Sequence, residues 1–557
     1  MVNLKGKKTG DILWFANAVV AIVLINLLGA AYFFRIDLTE ERRYSIKHQT
    51  REILSALEDD VHIEVFLEGD LNADFKRFQK SIVETLDEFR VHAGNKIHYR
   101  LTNPALAAGE KAQSEFMADL SARGIQPMNV IDTKDGQRVE KIIFPGALVS
   151  YGGLETGVML LKGNTAAKIN QSIESIEFEL ANAIFKLSNT ERRRIGFVTG
   201  HGELDSLEIA SFNNDLLETY DVFKVDLGKR SSISHYDALV IAKPVKAFPA
   251  ADKYKLDQFI MNGGSVLFLV DRLDVAMDSA SREDYFAVPY NLDLDDLLFR
   301  YGVRINPELV QDQHSGMVTV VTGQAGGRPK FELMEWPFFP LINHYAEHPI
   351  TRNLDAVSLR FVNSVDTVKA EGIRKTPLLF TAAASKRLRA PVRVSVNDLR
   401  KPGSGEAFSD EVVPLGYLLE GRFTSLYKNR FAPEGVSAEN FQAEGAPAKI
   451  LVIADGDVIR NDINARSGQP RPLGFDPVSN YTFANRELLL NAVAYLTDEQ
   501  GLIQSRTKQV KIRPLNREKI RNEKVKWQII NIVAPLILLV LYGAARAYWR
   551  RKKFASF

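Results

Sequence analysis

The 557-residue chain contains no cysteine, which removes disulfide frameworks, thiolate metal sites, CxxC redox pairs and cysteine nucleophiles together. It also lacks a GxxxxGK[ST] loop, so this chain cannot itself hydrolyse ATP by the P-loop route. The nearest glycine cluster, 323–328 (GQAGGR), has arginine where lysine should follow the last glycine, and it reads as a loop. No GxSxG elbow is present for a serine hydrolase. An excess of one charge is missing too: 71 basic residues against 69 acidic ones leave +2, so nothing draws the whole chain toward nucleic acid. What remains is an ordinary folded composition, 45% hydrophobic and 25% charged, long enough for several domains each to bury a core.

Two apolar runs stand out. Residues 12–34 carry no charge, and about 20 such residues cross a hydrocarbon core. A retained anchor competes here with a cleaved leader. Lys5, Lys7 and Lys8 would be the leader's basic region and Gly29-Ala30-Ala31 its cleavage site, but the apolar stretch exceeds the usual 7–15 residues. The second run, 527–549, has aromatic residues at both ends and is followed by a tail, 550–557, beginning with Arg550, Arg551, Lys552 and Lys553. Positive charge outside both runs places both termini in the cytoplasm and the long middle beyond the membrane. Against this stands a basic stem, 501–526, which includes Arg513, Arg517 and Arg521 and reads either as a surface for anionic head groups or an acidic partner, or as a solvated stalk. Asn17, Asn26 and Asn531 are amides within the apolar runs and are candidates for contacts with partner helices.

The body reads as α/β. In 35–190, a helix at 45–57, an alternating strand at 61–67, an amphipathic helix at 74–92 and a strand at 97–101 start a βαβ unit of thioredoxin-like layout. Further strands are expected near Val130, at 142–149 and at 158–161, and a helix at 171–188. A charged break at 191–194 opens a second domain, 191–500. Strands at 194–199, 222–227, 236–242 and 265–270 alternate with helices at 206–220 and 252–261, which predicts a doubly wound parallel sheet. Residues 449–454 and the helix 485–496 read as a last βα unit. Residues 290–440 are a mixed insertion whose strand order the sequence leaves open.

Ligands of such sheets sit beyond the carboxyl ends of the strands. There lie His201, Glu203, Asp271, Asp455 and Asp457, an imidazole and carboxylates able to line a binding cleft, hold a metal or act as acid and base. The bland alternative is that the glycines permit the turns, His201 and Glu203 bond the loop backbone, and the two aspartates fix a turn. No second histidine has metal-motif spacing to His201, so neither metal nor cofactor is expected. The layout is also similar to the class I glutamine amidotransferase-like, or flavodoxin-like, fold, and Asp271 stands where that fold keeps its cysteine nucleophile.

Several segments together resemble GldG, the gliding-motility-associated family of ABC transporter components. They are 34–45 (FRIDLTEERRYS), 197–203 (FVTGHGE), 293–298 before Tyr301-Gly302, His348-Pro349-Ile350-Thr351, Pro414-Leu415-Gly416 with Glu420-Gly421-Arg422-Phe423, and Asn491 near Tyr495-Leu496-Thr497. Their order runs through nearly the whole chain. The resemblance implies a non-catalytic auxiliary or substrate-binding-like subunit of the bacterial inner membrane. It would work with a separate permease and, through it, a cytoplasmic P-loop ATPase, in an oligomer of permease and auxiliary subunits, in gliding motility or secretion. An extracytoplasmic module for an envelope sugar, lipid or peptide is the alternative, and a metal or acid–base hydrolase a third.

Overall fold

The computed structural model describes residues 7–31, 45–104, 110–134, 137–161, 166–189, 192–230, 232–281, 285–325, 327–400, 408–437, 439–498, 501, 503 and 517–554. Two compact units result, 1–508 and 509–557.

The first unit opens with helix α1 (Lys7–Ala31), whose described apolar stretch is Leu13–Asn26. The expected span reached residue 34; residues 32–34, and with them most of the motif 34–45, lie outside the described residues. Next come α2 (His48–Ser55), β1 (Val61–Val65), α3 (Ala73–His92), β2 (Ile97–Leu101), α4 (Glu110–Ala122), β3 (Met128–Lys134), β4 (Gln137–Ile143), β5 (Gly146–Tyr151), β6 (Leu154–Met159) and α5 (Ala166–Ser188). Alternation decides β1: Val61, Ile63 and Val65 are buried, while His62 and Glu64 point to the other face. In α3 the buried Phe75, Phe78, Ile82, Leu86 and Phe89 recur at helical spacing, and the Asn72 side chain caps the first turn by accepting from Phe75 N at 3.1 Å. The sheet order is β2-β1-β5-β6, with β1 and β2 parallel and the other neighbours antiparallel. The hairpin β3–β4 forms a sheet of its own.

The eight-stranded sheet that follows is mixed. Four strands lie in its first part: β7 (Arg194–Thr199), β8 (Asp221–Asp226), β9 (Ala238–Ala242) and β10 (Ser265–Leu269). With the strand Glu444–Ile453 they make a parallel run in the order β8, β7, β9, β10, Glu444–Ile453. Beyond it Pro414–Thr424, Ile373–Phe380 and His344–Tyr345 are added antiparallel. The expectation of a wholly parallel, doubly wound sheet is therefore corrected. Part of 290–440 supplies three of the sheet's eight strands, because the chain turns back by a hairpin between 424 and 444 where a doubly wound fold would use a crossover helix.

Both faces of the sheet are covered. In β10, Leu267 and Leu269 join one core with Leu488, Leu489, Ala492 and Val493 of the helix Asn485–Thr497. Val266 and Phe268 join another with Leu256, Phe259 and Ile260 of α7 (Ala250–Met261). Full burial of such side chains is worth about 1.5–3 kcal/mol each, which explains why these strands read as unbroken apolar runs. The expected helix 206–220 is shorter, α6 (Ala210–Leu217), since the Asp205 carboxylate accepts from Leu207 N and Glu208 N and holds the approach as turns. The described residues of the glycine cluster at 323–328 belong to a long hairpin, Ser315–Ala325 with Arg328–Ile342. At the hairpin's base Trp336 and Phe338 are buried.

The second unit is dominated by the helix Arg517–Phe554, which is long and apolar enough to cross a membrane and contains Pro535.

Candidate functional site

Three adjacent parallel strands end alike: ALVIAK, SVLFLVD and KILVIAD each run from apolar residues into a charged one. The register aligns Ala242 with Leu269 and Leu269 with Ile453, so Lys243, Asp271 and Asp455 emerge together at one edge. Lys243 is buried, with φ +53°, and its ammonium lies 2.7 Å from Asp271 Oδ2 and 2.5 Å from Asp457 Oδ2. Asp271 Oδ1 accepts from Gly456 N at 2.5 Å. Asp455 accepts from Asp457 N, Val458 N and Arg360 N at 2.7, 3.1 and 2.6 Å. Arg460 reaches Asp457 at 2.9 Å and Glu208 at 3.0 Å, while Arg360 pairs with Asp462 at 3.3 Å.

These surroundings set the charges. Burial raises the Asp271 carboxyl, with Lys243 opposing, and it raises Asp455 strongly, helped by the neighbouring Asp271 and Asp457. Burial would raise Asp457 as well, but Lys243 and Arg460 hold it below the usual carboxylate range. Burial works against the charged Lys243, and its two aspartates outweigh that and raise it.

His201 follows β7 at the switch point, where β8 and β9 diverge to either side of β7. That crevice is filled from within. The imidazole stacks on Phe248 with centroids 3.7 Å apart, and the His201 carbonyl accepts from Val245 N and Lys246 N. Nδ1 lies 3.0 Å from Glu203 Oε1 and Nε2 lies 3.2 Å from Asp252 Oδ2. Burial lowers the imidazole pKa, but the two carboxylates more than compensate and leave it raised. Both ring nitrogens thus face carboxylates, and whenever the ring is protonated it donates from both and has no lone pair for a metal or for a proton from substrate.

The five expected residues thus fall into two groups. His201 and Glu203 brace one loop; Asp271, Asp455 and Asp457 form a separate buried ionic knot. Asp457 borders a cavity of about 320 Å³ whose wall also includes Arg360, Arg460, Asp462, Phe339 and Phe475. Sequence reasoning missed Lys243, Asp252, Arg360 and Arg460. The shared strand endings could have found Lys243, whereas Arg360 comes from the inserted segment and leaves no local signal. Among the described residues no group of three or more His, Asp or Glu side chains is placed to hold a metal ion. Of the membrane candidates, Asn26 Nδ2 donates to Ile22 O of its own helix at 2.9 Å, Asn17 and Asn531 are exposed, and Arg521 is exposed. Arg517 opens its helix, and Arg513 lies outside the described residues.

The recurring motifs also meet one another. His348 Nδ1 accepts from Ile350 N, the Ile350 carbonyl accepts from Asn491 Nδ2 at 3.0 Å, and Tyr495 Oη donates to Glu420 Oε1 at 2.7 Å.

Such a body, a mixed α/β sheet with its edge crevice closed by internal ion pairs, defines an α/β scaffold followed by an apolar helix. Residues 192–492 match the family described as ABC-type uncharacterized transport system, and the chain belongs to that family, an auxiliary component of such systems. Residues 40–150 match a domain of unknown function, DUF7088. A relative from Borreliella burgdorferi, described as an uncharacterized protein, is 20% identical over 558 residues, covering 98% of this chain and 99% of its own length. Among solved structures, the mmIFT52 N-terminal domain aligns at 12% identity with a TM-score of 0.30, over 55% of this chain and 97% of that one.

Proposed function

We propose that the chain is a non-catalytic, membrane-anchored auxiliary subunit that works beside a separate permease and, through it, a separate P-loop ATPase. Membership in the transport-system family is the observation that carries this reading. The helix Arg517–Phe554 supports anchoring, and α1 supplies the second anchor, with both termini cytoplasmic and the body beyond the bacterial inner membrane. The order β2-β1-β5-β6 supports a thioredoxin-like N-terminal domain, and the parallel run β8 to Glu444–Ile453 supports an amidotransferase-like ancestry for the second. At the position of that fold's nucleophile, Asp271 is tied to Lys243 and Gly456, which supports a structural role for the edge. The link to gliding motility or secretion rests on the order of the motifs. Affinity purification of the full chain in mild detergent should recover a multispanning permease and a P-loop ATPase; recovery of the chain alone would refute the assignment.

The 320 Å³ cavity favours a second reading, an extracytoplasmic binding module. Its guanidinium groups are already balanced by Asp457, Asp462 and Glu208, so its wall suits a neutral polar ligand such as a sugar better than an ion. Protection of Arg360→Ala and wild-type chains against thermal unfolding by envelope oligosaccharides would separate the readings: a stabilisation confined to the wild type favours the module.

A further inference from the structure

The helix Arg517–Phe554 runs unbroken from its apolar stretch into a charged segment on the side that joins the body. Between 518 and 526 that segment carries Lys519, Arg521, Lys524 and Lys526 against Glu518 and Glu523. All four cations are exposed. At about 100° per residue Lys519 and Lys526 share one face, and Arg521 and Lys524 lie across the helix from them. A helix that lies flat on a membrane gathers its cations on one face and its apolar side chains on the other. Cations on opposite faces instead suit a helix that stands upright through a layer of anions.

The aromatic residues place that layer. Trp527 begins the apolar stretch, and its indole Nε1 donates to Glu523 Oε2 at 2.9 Å. From Trp527 to Trp549 the helix rises about 33 Å at 1.5 Å per residue, close to the roughly 30 Å of a hydrocarbon core, so both indoles reach interfaces where they are favoured. Residues 519–526 then lie within about 12 Å of the hydrocarbon boundary, in and just above the head groups.

We propose that residues 518–526 form a cationic collar that gathers anionic lipid head groups on the body side of the membrane. The collar rests on the reading of this helix as a membrane span. Arg550, Arg551 and Lys552 serve the opposite interface, so the helix is gripped at both ends.

The absence of native cysteine makes the test direct. Asn522→Cys in the full chain carries a single fluorophore, and the protein is reconstituted in phosphatidylcholine vesicles containing nitroxide-headgroup phosphatidylglycerol or, at equal mole fraction, nitroxide-headgroup phosphatidylcholine. The anionic quencher should be about two- to fourfold more effective at low salt, falling toward parity near 1 M salt as charge is screened. Lys519→Gln, Arg521→Gln, Lys524→Gln and Lys526→Gln together should bring the ratio to one, and Arg550→Gln with Arg551→Gln and Lys552→Gln should leave it unchanged. Equal quenching by the two lipids in the chain with its collar intact, or a ratio insensitive to salt, would overturn the collar; this arm needs no charge substitution. Quenching by neither lipid would overturn the span itself, and the collar with it.

Discussion

Lys243 holds a left-handed backbone conformation that costs a non-glycine residue on the order of 1 kcal/mol or more, and its ammonium is the cation closest to both Asp271 and Asp457. Removing that amine strands buried carboxylates. Lys243→Met should therefore destabilise the chain by about 3–5 kcal/mol, read as a lowered thermal midpoint of the detergent-solubilised protein, and an unchanged midpoint would remove the knot from the account of stability. A methyl at Gly456 would sit 2.6 Å from Lys243 Cβ, so Gly456→Ala should cost about 1–3 kcal/mol by the same measurement. Two histidines give pH dependences of opposite sign. His201 is raised above its unfolded value of about 6.5, so its stabilisation is complete below that pH and is lost as pH rises through the folded value. His348 is lowered by burial to about 4, so its contribution is complete above pH 6.5 and lost as pH falls toward 4. His201→Gln should flatten the alkaline limb of a midpoint-against-pH curve, and His348→Gln should soften the acid limb by about 2 kcal/mol after allowance for its partial exposure.

At the scale of elements, the sequence announced those whose periodicity is local. The apolar spacing of α3 and the unbroken runs of β7, β9 and β10 were legible because each buries one stripe or both faces. The three antiparallel strands of the sheet were not, because Ile373–Phe380 pairs with Pro414–Thr424 across a long stretch and nothing within either strand names its partner. The candidate site divides the same way: the side chains that end strands could be found, but their sealing by Arg360, Asp252 and Phe248 depends on tertiary placement. The hairpin Ser315–Ala325 with Arg328–Ile342 offers a test of modularity. At the same level of the hairpin Phe331 and Leu333 are exposed, while Val318 and Val320, which alternate with Val321 and Thr319, the partners of Phe331 and Leu333, are buried. Replacing 322–330 by a two-residue Asn-Gly turn, which joins the paired Val321 and Phe331, should shift the thermal midpoint by no more than about 1 kcal/mol equivalent, and a larger loss would show that the tip supports the fold.

For the whole molecule, the two units predict different consequences of truncation. A chain ending at residue 508 lacks the helix Arg517–Phe554 but keeps α1. It should stay in the carbonate-resistant membrane fraction, and release into the soluble fraction would show that α1 is not a retained anchor. The sheet has a further consequence, in time. Strand β10 pairs on one side with β9, which precedes it closely, and on the other with Glu444–Ile453, which the ribosome makes well over a hundred residues later. At about 5–20 residues per second that interval is on the order of ten to thirty seconds. Throughout it a buried strand, apolar after Ser265, would wait with one edge unpaired, so the nascent chain should need a chaperone or delayed folding in a way that its finished sheet no longer reveals.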